Sequence, residues 1–187
     1  MKRRQFVVGI GPFIFSAPFV RAGNQALELL SESLLGSNVL FMRHALAPGF
    51  GDPVNFEIGN CATQRNLDEV GREQAGQIGS TLRLNGLDFD AVYSSQWCRC
   101  RETAELMDVG EVQTFAGLNS FFQSHAPKKQ TLELLMGKLD ELPKDKLTLM
   151  VTHQVVIQSV TQFSVQSGGL VAHDSTSKAS RRLTVSW

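Results

Sequence analysis

Three strand-like runs of the sequence lead into basic side chains. Each run is short and apolar, as expected of a parallel strand that is buried on both faces of a sheet. The runs and their basic residues are 39–42 with Arg43 and His44, 91–95 with Arg99, and 147–151 with His153. Because the carboxyl ends of parallel strands meet at one edge of a sheet, these side chains would form a small cationic pocket. Such a pocket suits a dianionic phosphate.

The whole chain alternates between strand and helix patterns. Strands are predicted at 38–42, 90–94, 112–115, 146–152 and 181–187, helices at 68–84, 98–107, 130–142 and 155–164, and a short amphipathic lead-in at 23–37. This alternation implies a mostly parallel sheet that is covered on both faces. We therefore predict an α/β three-layer sandwich, with a mostly parallel central sheet, an antiparallel edge strand and helices on both faces.

The first 22 residues have the pattern of an export signal. A basic triplet at 2–4 precedes an apolar stretch at 6–20, and the small-residue pattern at 20–22 suits cleavage. The paired arginines also fit the twin-arginine pattern. The apolar stretch is short for a bilayer span and contains two prolines, so we expect no stable membrane span once the signal is removed. We predict a single domain at 23–187 and a periplasmic or otherwise exported location.

The charge balance excludes one class of partner. The chain has 18 basic and 18 acidic residues, and loss of residues 1–22 would remove four basic residues and no acidic one. That leaves 14 basic against 18 acidic residues, a formal net charge of −4. With no basic run outside the signal, non-specific nucleic-acid binding is not expected.

The three cysteines make an odd count for an exported chain. We expect one disulfide, between Cys61 and either Cys98 or Cys100, and one remaining thiol. A nucleophilic Cys98 next to Arg99 is an alternative use of these residues. No Cys or His spacing matches a zinc site.

The four basic side chains at the strand ends can carry phosphoryl-transfer chemistry. An arginine fork fits phosphate oxygens and stays charged at every relevant pH. A neutral imidazole with one nitrogen held by a carbonyl offers the other as a nucleophile. Arg43, His44, Arg99 and His153 together therefore predict a site in which a histidine attacks phosphorus and becomes a phosphohistidine.

Four segments resemble motifs of one enzyme family. They are Leu40-Phe41-Met42-Arg43-His44-Ala45, the helix start at 67–75 with Gly71 and Gln74-Ala75, the element at 94–104 with Arg99 and Thr103-Ala104, and Val151-Thr152-His153. In this order they resemble the histidine phosphatase superfamily, the phosphoglycerate-mutase-like enzymes. The resemblance spans residues 38–160, nearly the whole predicted domain.

The resemblance implies a mechanism and a set of roles. His44 would attack a phosphate ester in line while Arg43, Arg99 and His153 stabilise the equatorial oxygens, and water would then hydrolyse the phosphohistidine. Neither a metal nor another cofactor is implied. Arg65 and Ser94 are further candidates for substrate binding, although a solvated arginine and a turn-closing serine are equally ordinary roles.

The sequence departs from the family pattern at the general acid. Members carry a glutamate after the middle strand or an aspartate after the second histidine, but residues 118–122 and Gln154 provide no carboxylate. Asp52 or Glu57 of the long loop at 45–66, or His125, could donate the proton instead. Alternatively, the leaving group could be good enough to need no acid, as in a phosphohistidine, an acyl phosphate or a diphosphate. Loops of this length usually carry function, and this loop follows His44 directly.

These observations predict an exported, metal-independent phosphoric monoester hydrolase. Its substrate would be a phosphomonoester or an activated phosphate, carried by a small molecule or an envelope component. The alternative is a non-catalytic module that binds a phosphorylated ligand, which the missing acid favours and the retained His44 opposes.

Overall fold

The computed structural model describes residue 34 and residues 36–184 of the chain. The predicted export signal at 1–22 lies outside these residues. So does the predicted lead-in at 23–37, except at residues 34, 36 and 37. The last three residues of the strand predicted at 181–187 are also outside them.

One sheet of six strands organises the described part of the chain. The strands are β1 (Val39–Arg43), β2 (Ala91–Ser94), β3 (Val112–Thr114), β4 (Thr148–Thr152), β5 (Leu170–His173) and β6 (Ser180–Leu183), in the order β3-β2-β4-β1-β5-β6. The first four pair in parallel, whereas β5 pairs antiparallel with β1 and β6 antiparallel with β5. The mostly parallel sheet with an antiparallel edge is thus confirmed.

The sequence pattern did not predict β5. Its four residues follow Gly168 and Gly169 and are buried throughout, so they show no alternation that would mark a strand. Its position is decided by pairing with β1, from Val39 opposite His173 to Met42 opposite Leu170. The antiparallel edge therefore consists of two strands, and the one at its border is β6.

Four helices connect the strands, close to their predicted positions. They are α1 (Glu69–Leu84), α2 (Cys98–Met107), α3 (Lys128–Glu141) and α4 (Gln154–Thr161). The Asp68 carboxylate caps α1 by accepting a hydrogen bond from the Gly71 amide at 2.8 Å. Helix α4 ends three residues before its predicted end, because Gln162 adopts a left-handed conformation with φ of 63°.

The helices cover both faces of the sheet. Leu40 and Met42 of β1 pack on the side of α1 and α2, where Ile78 is also buried. Val39 and Phe41 point to the opposite side, into a second apolar cluster formed with α3 and α4. Side chains of one strand thus enter two cores, which confirms the predicted three layers. Within residue 34 and residues 36–184, no helix has the length and apolarity that a bilayer crossing requires.

Candidate active site

The carboxyl ends of three neighbouring parallel strands meet at one cavity. In the sheet, β4 lies between β1 and β2, so the residues after these strands come together as predicted. The cavity has a volume of about 230 Å³ and is lined by Arg43, His44, Gly49, Phe50, Gly51, Asp52, Arg65, Arg99, Ser120, Phe122, His153, Gln154 and Val155. We call Arg43, His44, Arg99 and His153 the cationic floor, and residues 45–66 the loop wall.

His44 is held in one orientation and in one tautomer. Its side chain is 2% exposed, and Nδ1 lies 2.7 Å from the Ala45 carbonyl oxygen. Because a carbonyl oxygen only accepts, Nδ1 carries the proton and Nε2 keeps its lone pair. Burial, followed by the charge of Arg99, lowers the pKa of His44 well below its usual value. The imidazole is therefore neutral and presents a nucleophilic Nε2 to the floor.

Arg99 uses all five of its N–H groups. Nε donates to His44 Nε2 at 3.3 Å, and Nη2 contacts His153 Nδ1 at 3.5 Å. At its far end, Nη1 and Nη2 donate to the two carboxylate oxygens of Asp52 at 2.7 and 3.1 Å, and Nη1 also donates to the Arg65 carbonyl at 3.1 Å. The edge of the guanidinium formed by Nε and Nη2 thus faces the two histidines, where a phosphate would lie.

His153 completes the floor opposite His44, with 5.5 Å between the ring centroids. Its Nε2 lies 3.0 Å from Ser95 Oγ, which in turn donates to Asn119 Oδ1 at 3.1 Å. Burial, followed by the charge of Arg99, lowers the pKa of His153 well below its usual value. A dianion in the cavity would act in the opposite direction and favour a proton on Nδ1.

Arg43 supplies an unpaired donor next to the cavity. Its Nη1 donates to Gln154 Oε1 at 2.8 Å and to the Val165 carbonyl at 3.0 Å. Its Nε is buried and has no hydrogen-bond partner among the described residues. Buried donors are almost always paired, so an anion in the cavity is the natural acceptor for this group.

The two predicted substrate-binding residues are placed differently. Arg65 lines the cavity, but its Nε donates to the Gly51 carbonyl at 2.8 Å and its Nη1 to the Ala47 carbonyl. Arg65 therefore also fastens the loop wall. Ser94 is fully buried, donates to the carbonyl of Ser95 at 2.8 Å and does not line the cavity.

Asp52 is one of the predicted proton donors, and it lies in the cavity wall. Besides Arg99, its carboxylate accepts from the Trp97 indole and from the Arg65 amide, each at 3.1 Å. Burial raises the pKa of this carboxyl, but the hydrogen bonds and charge of Arg99 outweigh it and leave the pKa below its usual value. Asp52 is thus ionised and orients Arg99. An ionised carboxylate has no proton to donate, so this role does not suit a general acid.

The other two proton-donor candidates lie away from the cavity lining. Glu57 is exposed in the loop wall, where its Oε2 lies 3.4 Å from Asn60 Nδ2. The His125 ring packs against Phe56, with 4.3 Å between centroids. Of the described residues that line the cavity, Asp52 is the only carboxylate.

A disulfide fastens the loop wall to α2. Cys61 is bonded to Cys98, so the first of the two predicted pairings is the correct one. The alternative of a nucleophilic Cys98 is wrong, because its sulfur is in the disulfide. Cys100 keeps a buried thiol 3.4 Å from His153 Nε2, and burial raises its pKa to about 12. In the described ranges, no three His, Cys, Asp or Glu side chains are grouped so that they could hold a metal ion.

Motif residues behind the floor hold the segment that follows His44. The Gln74 side chain accepts from the Leu46 amide at 2.9 Å, and Thr103 Oγ1 accepts from the Ala45 amide at 3.0 Å. A Cβ atom at Gly71 would lie 2.0 Å from the Leu46 carbonyl oxygen, so only glycine permits this approach. These three contacts give the motif residues a physical role.

Several residues of the site were not predicted as such from the sequence. Ser95 and Asn119 orient His153, Gln154 contacts Arg43, and the cavity lining also includes Phe50, Ser120 and Phe122. Ser95 directly follows β2 and Gln154 directly follows His153, so their positions next to strand ends could have indicated a place in the site. Nothing in the sequence distinguishes Phe50 from other loop residues.

The comparisons with known proteins agree with this geometry. A family model described as histidine phosphatase superfamily (branch 1) matches residues 39–121. This segment includes His44, Arg99 and the whole loop wall. No curated protein sequence matches the chain significantly.

Solved structures with a similar fold cover about four fifths of the chain. An alpha-ribazole phosphatase from Shigella flexneri is 18% identical, with 79% of this chain and 95% of that chain covered and a TM-score of 0.54. A phosphoserine phosphatase mutant from Entamoeba histolytica, solved with phosphoserine, is 15% identical, with 78% and 94% covered and a TM-score of 0.53. The protein histidine phosphatase SixA, solved with tungstate, is 13% identical, with 78% and 94% covered and a TM-score of 0.52. At these identities the likeness concerns the fold.

Proposed function

We propose that this chain, whose family-model match and fold support the histidine phosphatase superfamily, is an exported phosphatase that works through a phosphohistidine at His44. The observation that carries the proposal is the orientation of His44, whose unprotonated Nε2 lies 3.3 Å from Arg99 Nε on the cationic floor. A neutral nitrogen nucleophile among positioned cations is what phosphoryl transfer to nitrogen requires.

The proposed reaction has two steps. First, the lone pair of His44 Nε2 attacks phosphorus, a P–N bond forms, and the bond to the leaving group breaks with its electron pair. During this step Arg99 donates to phosphate oxygens through the guanidinium edge that contacts the two histidines in the structure. The Nε of Arg43, which has no partner among the described residues, adds a further donor. In the second step, water attacks the phosphohistidine, releases inorganic phosphate and restores neutral His44. No metal takes part in either step.

The ionised state of Asp52 supports a leaving group that departs without a proton. A positioned acid typically contributes about 10²–10⁴-fold to the departure of a poor leaving group. The only carboxylate of the described lining is engaged with Arg99 through two hydrogen bonds. We therefore infer that the substrate is an activated phosphate, such as an acyl phosphate, a diphosphate or a phosphate bonded to nitrogen or to an acidic hydroxyl.

Two independent features support the exported location. The signal pattern at 1–22 is one, and the disulfide between Cys61 and Cys98 is the other, because such bonds persist mainly in oxidising compartments. An exported phosphatase would act on a phosphorylated small molecule or an envelope component. Cell fractionation followed by mass measurement of the full-length product checks this, since the proposal expects a periplasmic species without residues 1–22.

Hydrolysis of matched substrates tests the activity. Acetyl phosphate and 4-nitrophenyl phosphate have good leaving groups, whereas ethyl phosphate has a poor one. In the presence of a metal chelator, we expect turnover of the first two, a kcat/KM at least about 10²-fold lower for ethyl phosphate, and no turnover by His44→Ala. Acid quenching should trap phosphate on wild-type protein and not on the variant.

Other results would contradict parts of this proposal. Comparable turnover of ethyl phosphate would require a proton donor and refute the acid-free site. Turnover by His44→Ala would refute the phosphohistidine. Phosphate binding without any turnover would favour the alternative, a module that only binds phosphorylated ligands.

A further inference from the structure

Two aromatic side chains stand at the mouth of the cavity. Phe50 is 90% exposed and Phe122 is 39% exposed, and both line the cavity above the cationic floor. Their rings contact each other edge to face, with 5.2 Å between centroids and 83° between planes. An apolar patch that adjoins a cavity is a candidate ligand-binding surface.

The backbone on each side presents these rings outward. Phe50 lies between Gly49 and Gly51, which both have positive φ angles, of 95° and 71°. Phe122 is followed by Gln123, which adopts a left-handed conformation with φ of 58°. Left-handed geometry at a non-glycine residue is uncommon and persists only where the surroundings hold it in place.

Gln123 also connects the ring pair to the reacting centre. Its Oε1 accepts from the Asp52 amide at 2.8 Å, and its Nε2 donates to the Asp52 carbonyl at 3.4 Å. The carboxylate of the same Asp52 orients Arg99. A chain of hydrogen bonds therefore runs from the segment that carries Phe122 to the guanidinium on the floor.

The cavity thus has two chemically different ends. Its floor is cationic and suits the phosphoryl group, whereas Phe50 and Phe122 give its mouth an aromatic surface. The group that leaves the phosphorus must lie on the side away from His44, because the attack is in line. Phe50 and Phe122, the exposed aromatic residues of the cavity lining, are the rings available to contact that group.

We propose that Phe50 and Phe122 form a subsite for an aromatic leaving group, so that the preferred substrates are phosphates of acidic aromatic hydroxyls. This proposal rests on the proposed function and names its substrate class. In the reaction, the P–O bond breaks and the aryl oxide departs with the electron pair, which its ring stabilises. Such a leaving group needs no general acid, in agreement with the ionised Asp52. Edge or face contact with the two phenyl rings would orient the substrate ring.

Two substrates with good leaving groups separate ring contact from leaving-group chemistry. 1-Naphthyl phosphate carries an aromatic ring, and acetyl phosphate does not. For Phe50→Ala and for Phe122→Ala, we expect the ratio of kcat/KM for 1-naphthyl phosphate to kcat/KM for acetyl phosphate to fall about three- to tenfold, the size of a lost aromatic contact. Val54→Ala is the matched control, because Val54 is fully exposed in the same loop and does not line the cavity.

Binding of unreactive analogues tests the subsite even if turnover fails. Calorimetric titration with phenylphosphonate and methylphosphonate should give a preference for the aromatic compound in wild type that Phe50→Ala reduces. If neither phosphate is hydrolysed but this preference is present, the proposed function fails and the subsite stands.

Three outcomes would overturn the subsite. Phe50→Ala and Phe122→Ala could lower kcat/KM equally on both substrates, which would make the rings structural supports of the loop wall. Wild type could bind phenylphosphonate no better than methylphosphonate. Finally, wild type but not Phe50→Ala could sediment with phosphatidylglycerol vesicles while aryl kinetics stay unchanged, which would make the ring pair a membrane contact.

Discussion

The cationic floor and the loop wall face each other across one cavity but are built by different means. The floor follows β1, β2 and β4, whose backbones are paired with each other through the sheet. The loop wall has no strand or long helix, and side-chain hydrogen bonds and the disulfide hold it instead. The pairing of strands in the sheet therefore fixes the geometry of the floor, whereas individual side-chain contacts fix the geometry of the loop wall.

Asp52 is where the two regions meet. The Asp52 and Arg99 side chains are 4% and 3% exposed and form a two-point ion pair across the boundary. Breaking a buried pair from one side leaves an uncompensated charge, so each partner constrains the other. Substitutions on either side should consequently affect the floor, but by different amounts and through different observables.

The largest effect is expected for Arg99→Lys on the floor. A lysine ammonium cannot contact both oxygens of Asp52 and also present a flat edge to phosphate. We expect kcat/KM for 4-nitrophenyl phosphate to fall about 10³-fold, about 4 kcal/mol of transition-state stabilisation. Arg72→Lys, on the half-buried Arg72–Glu102 pair outside the cavity lining, is the matched control and should retain activity. A loss of less than tenfold at Arg99 would contradict its role on the floor.

Removal of the disulfide should affect mainly the wall. Cys61 and Cys98 are 37 residues apart in sequence, so a Cys61→Ser/Cys98→Ser variant should lose about 4 kcal/mol of unfolding free energy in urea titrations. Dithiothreitol should destabilise wild type by a similar amount and leave this variant unchanged, which serves as the control. Unchanged stability of wild type under reduction would mean that hydrogen bonds alone hold the wall.

Two substrates with different leaving groups can show whether Asp52 positions Arg99 or donates a proton. If it positions Arg99, Asp52→Asn should lower kcat/KM about 10²-fold, as expected for a small misplacement, and equally for phenyl and 4-nitrophenyl phosphate. Loss of a general acid would instead lower kcat/KM more for phenyl phosphate, because phenyl phosphate has the poorer leaving group. Glu57→Gln, an acid of the same loop outside the cavity, is the control and should behave as wild type.

The smallest effect concerns the pH dependence of stability. Burial lowers the pKa of His44 and of His153 well below the value near 6.5 that applies when the chain is unfolded. Below that pH the unfolded chain binds more protons, so the free energy of unfolding should fall by about 1.4 kcal/mol per pH unit for each histidine. In urea titrations between pH 7 and 5.5 the slope should steepen toward this value, and His44→Gln/His153→Gln should reduce it. Burial also lowers the pKa of His173, which contributes the slope that remains.

The sequence was most informative where burial is uniform. β1 and β4 were predicted because continuous apolar runs are typical of strands buried on both faces. β5 is equally buried but only four residues long, and without alternation or length it gave no distinct pattern. The floor residues were predicted from their sequence positions alone, because Arg43 and His44 lie at the end of β1, His153 follows β4 and Arg99 lies in the helix after β2.

The loop wall was predictable only in outline. Cys98 and Cys100 are two residues apart on a helix and point in different directions, so only the packing of α2 decides which sulfur meets Cys61. Likewise, Asp52 and Glu57 are both acids of one loop, and the path of that loop decides which of them enters the cavity.

The sequence by itself determined the three-layer α/β architecture and the meeting of the four floor residues at one cavity. These depend on local patterns, namely apolar runs, helix periodicity and the residue that follows each strand. The tertiary structure alone decided the disulfide pairing, the use of Asp52 as the partner of Arg99, and the aromatic mouth formed by Phe50 and Phe122. Those features depend on contacts between segments far apart in the chain, which only the folded backbone brings within hydrogen-bonding or van der Waals distance.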